Sequence, residues 1–424
     1  MNNKVVQSSS VMFNDSLISA DDALSFLIDA ALSSSQTETV SLDHSVGRIL
    51  AKDIHSTINV PGFDNSAMDG YTIALNDDHL SKTNLTFDVV DRIAAGSTGN
   101  KLEKGHAARI FTGAPIPEGA NTVIMQEECL PSEDGSQILV KRAIQLNENI
   151  RPTGNDICQN DVILSSGKKI EPQDVSLAAS VGVAEIIVYK KIKVGVFFTG
   201  DELIEPGNPL LPGQIYNSNR YALVALLKRI GCDVVNLGNI KDKLESTCTA
   251  LESLSSQCDL IMTTGGVSVG EEDHVKPAVE KLGEINLWKI RMKPGKPLAY
   301  GKVKQTPFIG LPGNPVSSFV TFCIFALPFI KKMQGNKQYI SKIYKVKANF
   351  DCSRAKPRRE YARVRIDYSD ETPLANLYPK QGSDVMSSVV WADVIIPRGG
   401  GNDVAIDMVL SRIQHLLESH PAGS

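Results

Sequence analysis

The sequence has little of what several common classes of protein require. The 424 residues include 44 Lys and Arg against 48 Asp and Glu, a net charge of -4. Without a basic excess to neutralise phosphates, a general nucleic-acid-binding protein is not expected. The polar N-terminal stretch 1–10 has no apolar segment of a signal peptide. The longest apolar run, 319–330, is shorter than the roughly 20 residues of a membrane helix, so we interpret it as a buried core helix.

Metal-binding and disulfide patterns are also missing. The seven cysteines lie far apart, at positions 129, 158, 232, 248, 258, 323 and 352, with no CxxC pair. Their odd number and the lack of zinc-site spacing favour free thiols in a reducing cytosol, hence a soluble cytoplasmic protein that does not span a membrane. The seven histidines occur singly, which does not favour histidine-centred acid–base catalysis.

The chain is too long for one ordinary core, and its texture changes several times. We predict a multidomain α/β plus β protein. Its parts are a discontinuous helical and linker domain (13–57 and 149–190), an inserted β-rich domain (58–148), a central α/β domain (191–334) and a C-terminal β-barrel-like domain (335–424).

Strands alternate with helices in the central domain, which predicts right-handed βαβ units and a mostly parallel sheet. The predicted strands are 192–198, 233–237, 259–264, 287–292 and 307–311. Ligands of such sheets bind at the carboxyl ends of the strands. The loops after Phe198, Leu237, Thr264 and Leu311 are therefore the expected site.

Two of these loops combine glycine with carboxylates. The first, 199–202, ends in Glu202 and suits a hard cation such as Mg²⁺, although a turn with a helix cap explains it equally well. The second, 263–273, has Gly265 and Gly270 at phosphate-loop spacing, but Glu271 and Glu272 stand where lysine and Ser/Thr are required. A nucleotide-hydrolysing phosphate loop is thus not expected. The pattern favours a phosphate-bearing ligand bridged by Mg²⁺.

Cations follow nearby. Lys289, Arg291 and Lys293 occupy alternate positions of a predicted strand and so share one face, which indicates either an anion site or a solvent-facing edge strand. The loop 310–318 is another candidate, since Gly313 permits close backbone approach. In the β-rich domain the polar loops 61–71 and 112–119 indicate a binding surface, although structural turns would also explain them. The basic stretch 354–359 is interpreted as a solvated loop.

Six segments together resemble the molybdopterin molybdenumtransferase family, which includes bacterial MoeA and the E domain of gephyrin. They are PGFDNSAMDGY (61–71), IFTGAPIPEGA (110–120), FTGDELIEPG (198–207), TTGGVSVGEEDH (263–274), MKPGKPLAYG (292–301) and LPGNPVSS (311–318). The resemblance extends from about residue 13 to about residue 410. It implies insertion of molybdate into adenylylated molybdopterin, with AMP release and Mg²⁺ assistance.

The resemblance also implies a homodimer whose site lies between the third domain of one subunit and the second domain of the other. The implied catalytic residues are Asp69, Thr112, Glu202, Asp242 and Asp273, of which Glu202, Asp242 and Asp273 would bind the metal. The implied substrate-binding residues are Gly265, Gly266, Ser268, Lys289, Lys293, Pro312, Gly313, Asn314, Pro315, Arg363 and Ser383. Transient contact with a molybdopterin adenylyltransferase is a further expectation.

Two other functions remain open at this point. The chain is alternatively a gephyrin-like scaffold without turnover, although such a protein would tolerate loss of the acidic residues and lysines. It is alternatively a molybdopterin adenylyltransferase-like enzyme, although that activity would need only the α/β domain. The additional β-rich domains favour the molybdenum-inserting function.

Overall fold

The computed structural model describes residues 17–80, 82–266, 273–340, 347–350, 358–369 and 373–398. Its helices are α1 (Ala20–Ala30), α2 (Pro172–Ser180), α3 (Ser218–Arg229), α4 (Leu244–Ser255), α5 (Val275–Leu282), α6 (Pro315–Thr321), α7 (Leu327–Met333) and α8 (Ser387–Trp391). Expectations for residues 267–272, 354–357 and 399–424, including Ser268, lie outside the described residues.

The strands are numbered along the chain. They are β1 (Thr37–Ser41), β2 (Ile54–His55), β3 (Asn65–Ser66), β4 (Gly70–Ile73), β5 (Leu85–Ile93), β6 (His106–Ile110), β7 (Thr122–Met125), β8 (Cys129–Pro131), β9 (Gln137–Val140), β10 (Ile150–Arg151), β11 (Val162–Leu164), β12 (Glu185–Tyr189), β13 (Lys193–Thr199), β14 (Leu203–Ile204), β15 (Ile215–Tyr216), β16 (Asp233–Ile240), β17 (Leu260–Thr264), β18 (Gly283–Lys289), β19 (Met292–Lys293), β20 (Pro297–Val303), β21 (Thr306–Leu311), β22 (Lys347–Ala348), β23 (Arg359–Asp367), β24 (Leu374–Leu377) and β25 (Val394–Arg398).

The central sheet has the strand order β16-β13-β17-β21-β20-β18. The first four strands are parallel to one another, as predicted. Strand β20 runs antiparallel to both of its neighbours, β21 and β18. Strand β20 was missed in the sequence. It pairs with β21 from Val303 opposite Thr306, and so short a connection permits only an antiparallel hairpin.

Helices cover both faces of this sheet. Phe197 and Phe198 are adjacent on β13 and point to opposite faces, so each is fully buried in a different core. Phe198 packs in the core that includes residues of α3, α6 and α7, and Phe197 packs with α4 and α5. The alternation of strands and helices therefore gives a three-layered α/β unit.

Helix α1 also packs on this unit. Ser19 caps the helix, accepting a hydrogen bond from the backbone N–H of Asp22, as the sequence predicts. Ala23 and Leu27 are fully buried in the core that contains Phe198. An N-terminal helix thus contributes to the core that contains Phe198. The domain boundaries proposed from the sequence stay a prediction.

Two β-rich parts flank the central unit. One is a six-stranded sheet with the order β7-β4-β6-β5-β9-β8. Short pairs, β1 with β12, β2 with β11 and β3 with β10, join the segments that precede and follow this sheet. The other part contains β22 to β25, and strand β19 of the central unit pairs with its β23.

The expected continuous strand 287–292 is wrong. Strand β18 ends at Lys289, Ile290 then bridges to Ile18, and Lys293 pairs within a different sheet. The chain leaves the central sheet because its backbone finds new partners in the N-terminal segment and in β23. The three cations of this region consequently do not share one strand.

The apolar run forms part of a buried helix, as predicted. Pro315–Met333 is long and apolar enough to cross a membrane by length and composition, but 78% of its most apolar window is buried inside the protein. Its middle, Phe322–Ala326, is π-helical. Pro328 has no N–H to donate to the carbonyl of Ile324. The regular hydrogen-bonding pattern of an α-helix is therefore interrupted at this point.

Substitution of Leu27 by alanine tests the contribution of α1. Because Leu27 is fully buried, we expect L27A to lower the free energy of unfolding by about 2–5 kcal/mol. Urea denaturation followed by circular dichroism measures the change. The matched control is L32A, since Leu32 is 81% exposed, and its effect should stay below about 0.5 kcal/mol. Equal effects of the two substitutions would show that α1 does not stabilise the core.

Candidate active site

The parallel strands bring four loops to one edge of the central sheet. Strands β13, β16, β17 and β21 run in the same direction, so the loops that follow them meet at their carboxyl ends. Glu202 follows β13, Asp242 follows β16, Gly265 follows β17 and Pro312 follows β21. A cavity lies at this same edge, where the sequence predicts the site.

A cavity of about 670 Å³ opens at this edge. It includes residues from both the central unit and the terminal domain, which is the part that contains β22 to β25. It is lined by Thr199, Glu202, Leu203, Ile215, Tyr216, Asn217, Ser218, Asn219, Thr264, Gly265, Met292, Lys293, Pro294, Gly295, Lys296, Pro297, Pro312, Gly313, Asn314, Pro315, Ser317, Arg358 and Ser383. The volume is in the range of pockets that hold small molecules.

Positive charge predominates among these side chains. Among the described residues, Lys293, Lys296 and Arg358 line the cavity together with one carboxylate, that of Glu202. Lys293 has a carboxylate neighbour, since its Nζ lies 3.7 Å from Oε1 of the buried Glu360. The cavity therefore suits a ligand with negative charges.

Two helices begin at the cavity and add to this potential. Asn217 caps α3 by accepting the backbone N–H of Arg220 at 3.1 Å, and Asn314 precedes the first residue of α6, Pro315. The side-chain amide of Asn219 donates to the carbonyl of Gly313 at 2.6 Å, which ties the two helix starts together. The positive end of each helix dipole favours a bound anion, although in α6 Pro315 has no N–H and the N–H of Val316 already donates to Ser383.

Glycines allow the loops to approach closely. A Cβ on Gly313 would lie 3.5 Å from Cα of Gly265. Gly265 and Gly266 both have a positive φ, at 81° and 64°, which an L side chain rarely adopts. A Cβ on Gly266 would also lie 2.5 Å from the side chain of Val275. These positions keep backbone groups, not side chains, next to the cavity.

The predicted residues of the central domain do not all meet at the cavity. Eight residues predicted from sequence line it: Glu202, Gly265, Lys293, Pro312, Gly313, Asn314, Pro315 and Ser383. Among the described residues, Gly266, Asp242, Asp273 and Lys289 are not in its lining. Within that described part, no group of three His, Cys, Asp or Glu side chains is arranged to hold a metal.

Arg363 lies beneath the site and does not line the cavity. It is fully buried, and its guanidinium donates to Ser388 Oγ at 3.0 Å and to the carbonyl of Gly382 at 2.9 Å. The next residue, Ser383, accepts the backbone N–H of Val316 at 3.0 Å. Arg363 thus holds the loop that brings Ser383 to the start of α6.

Asp69 and Thr112 form a separate pair on the β-rich domain. Both the N–H and the hydroxyl of Thr112 donate to Oδ1 of Asp69, at 2.7 and 2.8 Å. These two bonds, the backbone bond first, and the positive charge of Arg109 hold the pKa of Asp69 below its ordinary value. The pair is exposed and lies outside the cavity lining of its own chain.

Several lining residues were missed in the sequence. Helix α3 begins at Ser218, and Asn217 before it is a typical capping residue, so the signal for this helix start was present in the sequence. Lys296 lies in the MKPGKPLAYG segment (292–301), but it was not among the substrate-binding residues predicted from the sequence. Arg358 belongs to the basic stretch 354–359, which was interpreted as a solvated loop, and its place beside β23 brings it to the cavity.

The fold and the site together define an α/β protein with additional β-rich parts and a cavity lined mainly by basic charged side chains. Three family descriptions match the chain: the MoeA N-terminal region (domain I and II) at residues 18–182, a probable molybdopterin binding domain at 195–332 and the MoeA C-terminal region (domain IV) at 345–403.

Relatives of this kind cover almost the whole chain. The molybdopterin molybdenumtransferase of Haemophilus influenzae is 40% identical over 95% of this chain and 100% of its own length. The one from Bacillus subtilis is 34% identical over 86% of each chain. A crystal structure of the molybdopterin biosynthesis MoeA protein from Pyrococcus horikoshii has a TM-score of 0.79 at 28% identity, over 93% of this chain and 98% of that one. The chain belongs to the molybdopterin molybdenumtransferase family.

Substitution of Thr112 by valine tests the Asp69 pair. Valine removes the hydroxyl donor but keeps the backbone donor, so in T112V the pKa of Asp69 should rise and still remain below its ordinary value. The titration of a ¹³C-labelled aspartate carboxyl followed by NMR measures this pKa. T153V is the matched control, because Thr153 donates in the same way to Asp64, at 2.7 and 2.9 Å. A rise of the Asp69 pKa in T153V, or none in T112V, would contradict the assignment.

Proposed function

We propose that this protein inserts molybdate into adenylylated molybdopterin and releases AMP, with Mg²⁺ assisting. The observation that carries the proposal is the cavity at the edge of the central sheet, which Lys293, Lys296, Arg358 and two helix N-termini line together with one described carboxylate, that of Glu202. Both substrates are anions that match this charge. The relatives named molybdopterin molybdenumtransferase support the same activity.

Release of AMP breaks the phosphoanhydride bond between two phosphates while an oxygen of water or of molybdate bonds to phosphorus, so negative charge develops on the leaving phosphate. Fixed cations and helix N-termini stabilise such charge without a covalent nucleophile from the protein. We assign this role to Lys293, Lys296 and Arg358. Lys289, which was predicted from sequence as a second anion-binding lysine, remains a candidate only if the substrate extends beyond the cavity lining.

The backbone of the cavity serves to orient the substrate. Gly265 and Gly313 offer close approach to main-chain groups, and Pro312, Asn314 and Pro315 lead into the N-terminus of α6. Gly266 and Ser268 belong to the same glycine loop in the sequence. We assign to these residues the binding of substrate phosphate, and to Arg363 the support of the Ser383 loop.

Glu202 is the carboxylate that fits a magnesium ion here. Mg²⁺ commonly binds one or two carboxylates together with waters and substrate phosphates, so a single cavity carboxylate is compatible with an ion that binds along with its substrate. When bound, the ion would offset negative charge on the phosphates. Asp242 and Asp273 follow neighbouring strands at the same edge, and we propose them as additional ligands on sequence resemblance.

Asp69 and Thr112 complete the site in the proposal if two copies of the chain associate. The pair is exposed, and a symmetric homodimer would present it to the cavity of the partner subunit. We further propose that the enzyme works in the cytoplasm and receives its substrate through transient contact with a molybdopterin adenylyltransferase.

The decisive experiment is a turnover assay with the purified chain. Adenylylated molybdopterin, molybdate and Mg²⁺ are combined, and AMP is quantified by chromatography. We expect AMP release that requires both molybdate and Mg²⁺. No AMP release with all three present would contradict the proposal and favour a scaffold function. In a separate incubation with ATP and molybdopterin, consumption of ATP would favour an adenylyltransferase.

Substitution of Glu202 by glutamine tests the metal assignment. Because the amide is a weaker ligand for Mg²⁺ than the carboxylate, E202Q should raise the Mg²⁺ concentration for half-maximal AMP release by roughly 10-fold or more. The neighbouring variant D201N is the matched control, since Asp201 is exposed and outside the cavity lining. An unchanged Mg²⁺ dependence in E202Q, or an equal shift in D201N, would refute the role of Glu202.

A further inference from the structure

A buried carboxylate of the terminal domain lies next to one cavity cation. Glu360 is 2% exposed, and its Oε1 lies 3.7 Å from Nζ of Lys293, whose side chain is 42% exposed. Lys293 therefore lies between the buried carboxylate of Glu360 and the cavity that it lines. A carboxylate in this place connects the terminal domain with the proposed substrate site.

Backbone hydrogen bonding fixes the two partners opposite each other. Strands β19 and β23 pair in parallel, with Met292 opposite Arg359 and Lys293 opposite Glu360. The N–H of Arg359 also donates to the carbonyl of Arg291 at 3.0 Å. The sheet thus fixes the two backbone positions opposite each other, so both side chains start from paired strands.

The charge of Glu360 alone would oppose the binding of an anion. A buried carboxylate is also costly unless it has a partner. Lysine has a long, flexible side chain, and an acidic neighbour restricts where its ammonium group lies. The gain is a cation held in one place before the substrate arrives.

We propose that Glu360 is a positioning residue that holds the ammonium group of Lys293 where oxygens of the substrate phosphate or of molybdate bind. The proposal rests on the proposed function, because it takes Lys293 as a substrate-binding cation. It assigns to the terminal domain a direct part in the α/β site.

The sign of the effect separates positioning from simple repulsion. If Glu360 only repels anions, E360Q strengthens substrate binding and lowers KM. If Glu360 positions Lys293, E360Q lowers kcat/KM for molybdate by roughly 10-fold to 100-fold, because this is the range expected when a binding group is displaced. E360D keeps the charge on a shorter side chain and should recover part of the loss.

A double-mutant cycle makes the test specific. The variants E360Q, K293M and K293M/E360Q are compared with the unchanged chain in the AMP-release assay, and circular dichroism confirms that each is folded. We expect E360Q to add little further loss to K293M. An equal loss in both backgrounds, or a lower KM in E360Q, would overturn the proposal. Should E360Q fail to fold, E360D carries the same cycle with a smaller expected loss.

Asp21 provides a matched control at the same junction. Its two carboxylate oxygens accept from the guanidinium of Arg359, the residue before Glu360, at 2.7 and 2.8 Å. D21N removes a charge from a contact with β23 without touching a cavity residue. It should leave kcat/KM for molybdate within about 2-fold of the unchanged chain. A loss as large as that of E360Q would mean that the junction is only structural.

Binding of inorganic pyrophosphate separates failure of this proposal from failure of the proposed function. Titration calorimetry measures its affinity without turnover, and E360Q should weaken it about 10-fold unless Lys293 is already replaced. If the unchanged chain releases no AMP, the proposed function fails while this cycle still decides on Glu360. Absence of pyrophosphate binding by the unchanged chain would overturn the positioning role as well.

Discussion

The parallel pairing of β16, β13, β17 and β21 is the constraint on which the site depends. Each strand runs in the same direction, so each following loop emerges at the same edge. Glu202, Gly265 and Gly313, which are far apart in the chain, become neighbours for this reason alone. The starts of α3 and α6 lie there as well, since Ser218 and Pro315 both line the cavity.

The site concentrates positive charge in a cavity of the protein. Two unit charges 4 Å apart interact by about 1 kcal/mol in bulk water and about 4 kcal/mol near a protein surface. Lys293, Lys296 and Arg358 thus attract an anion at the cavity more strongly than the same cations would in bulk water. Arg363 differs from them, because its guanidinium is buried and bonded to Ser388 and Gly382. It would have to break these bonds to reach a ligand.

Local patterns were sufficient to predict the central fold and part of the site. Alternating strands and helices predicted the four parallel strands, and the glycine and acidic loops predicted Glu202, Gly265 and Gly313. Pairing between distant segments was not readable: β19 leaves the central sheet because β23 offers it hydrogen bonds. Arg358 reaches the cavity for the same reason, although its own sequence indicated only a solvated loop.

A cavity built by separate parts of the chain requires that those parts keep their distances. Among the described contacts that do this, β19 pairs with β23, Val316 donates to Ser383, and Arg359 binds Asp21 through two hydrogen bonds. A single exposed ion pair contributes little to stability, typically about 0–1 kcal/mol. Tyr361, Val389 and Ile395 are buried in the core that contains Phe198. This apolar packing and the backbone pairing of β19 with β23 therefore provide most of the constraint, and the side-chain pairs beside them select which charges lie at the cavity.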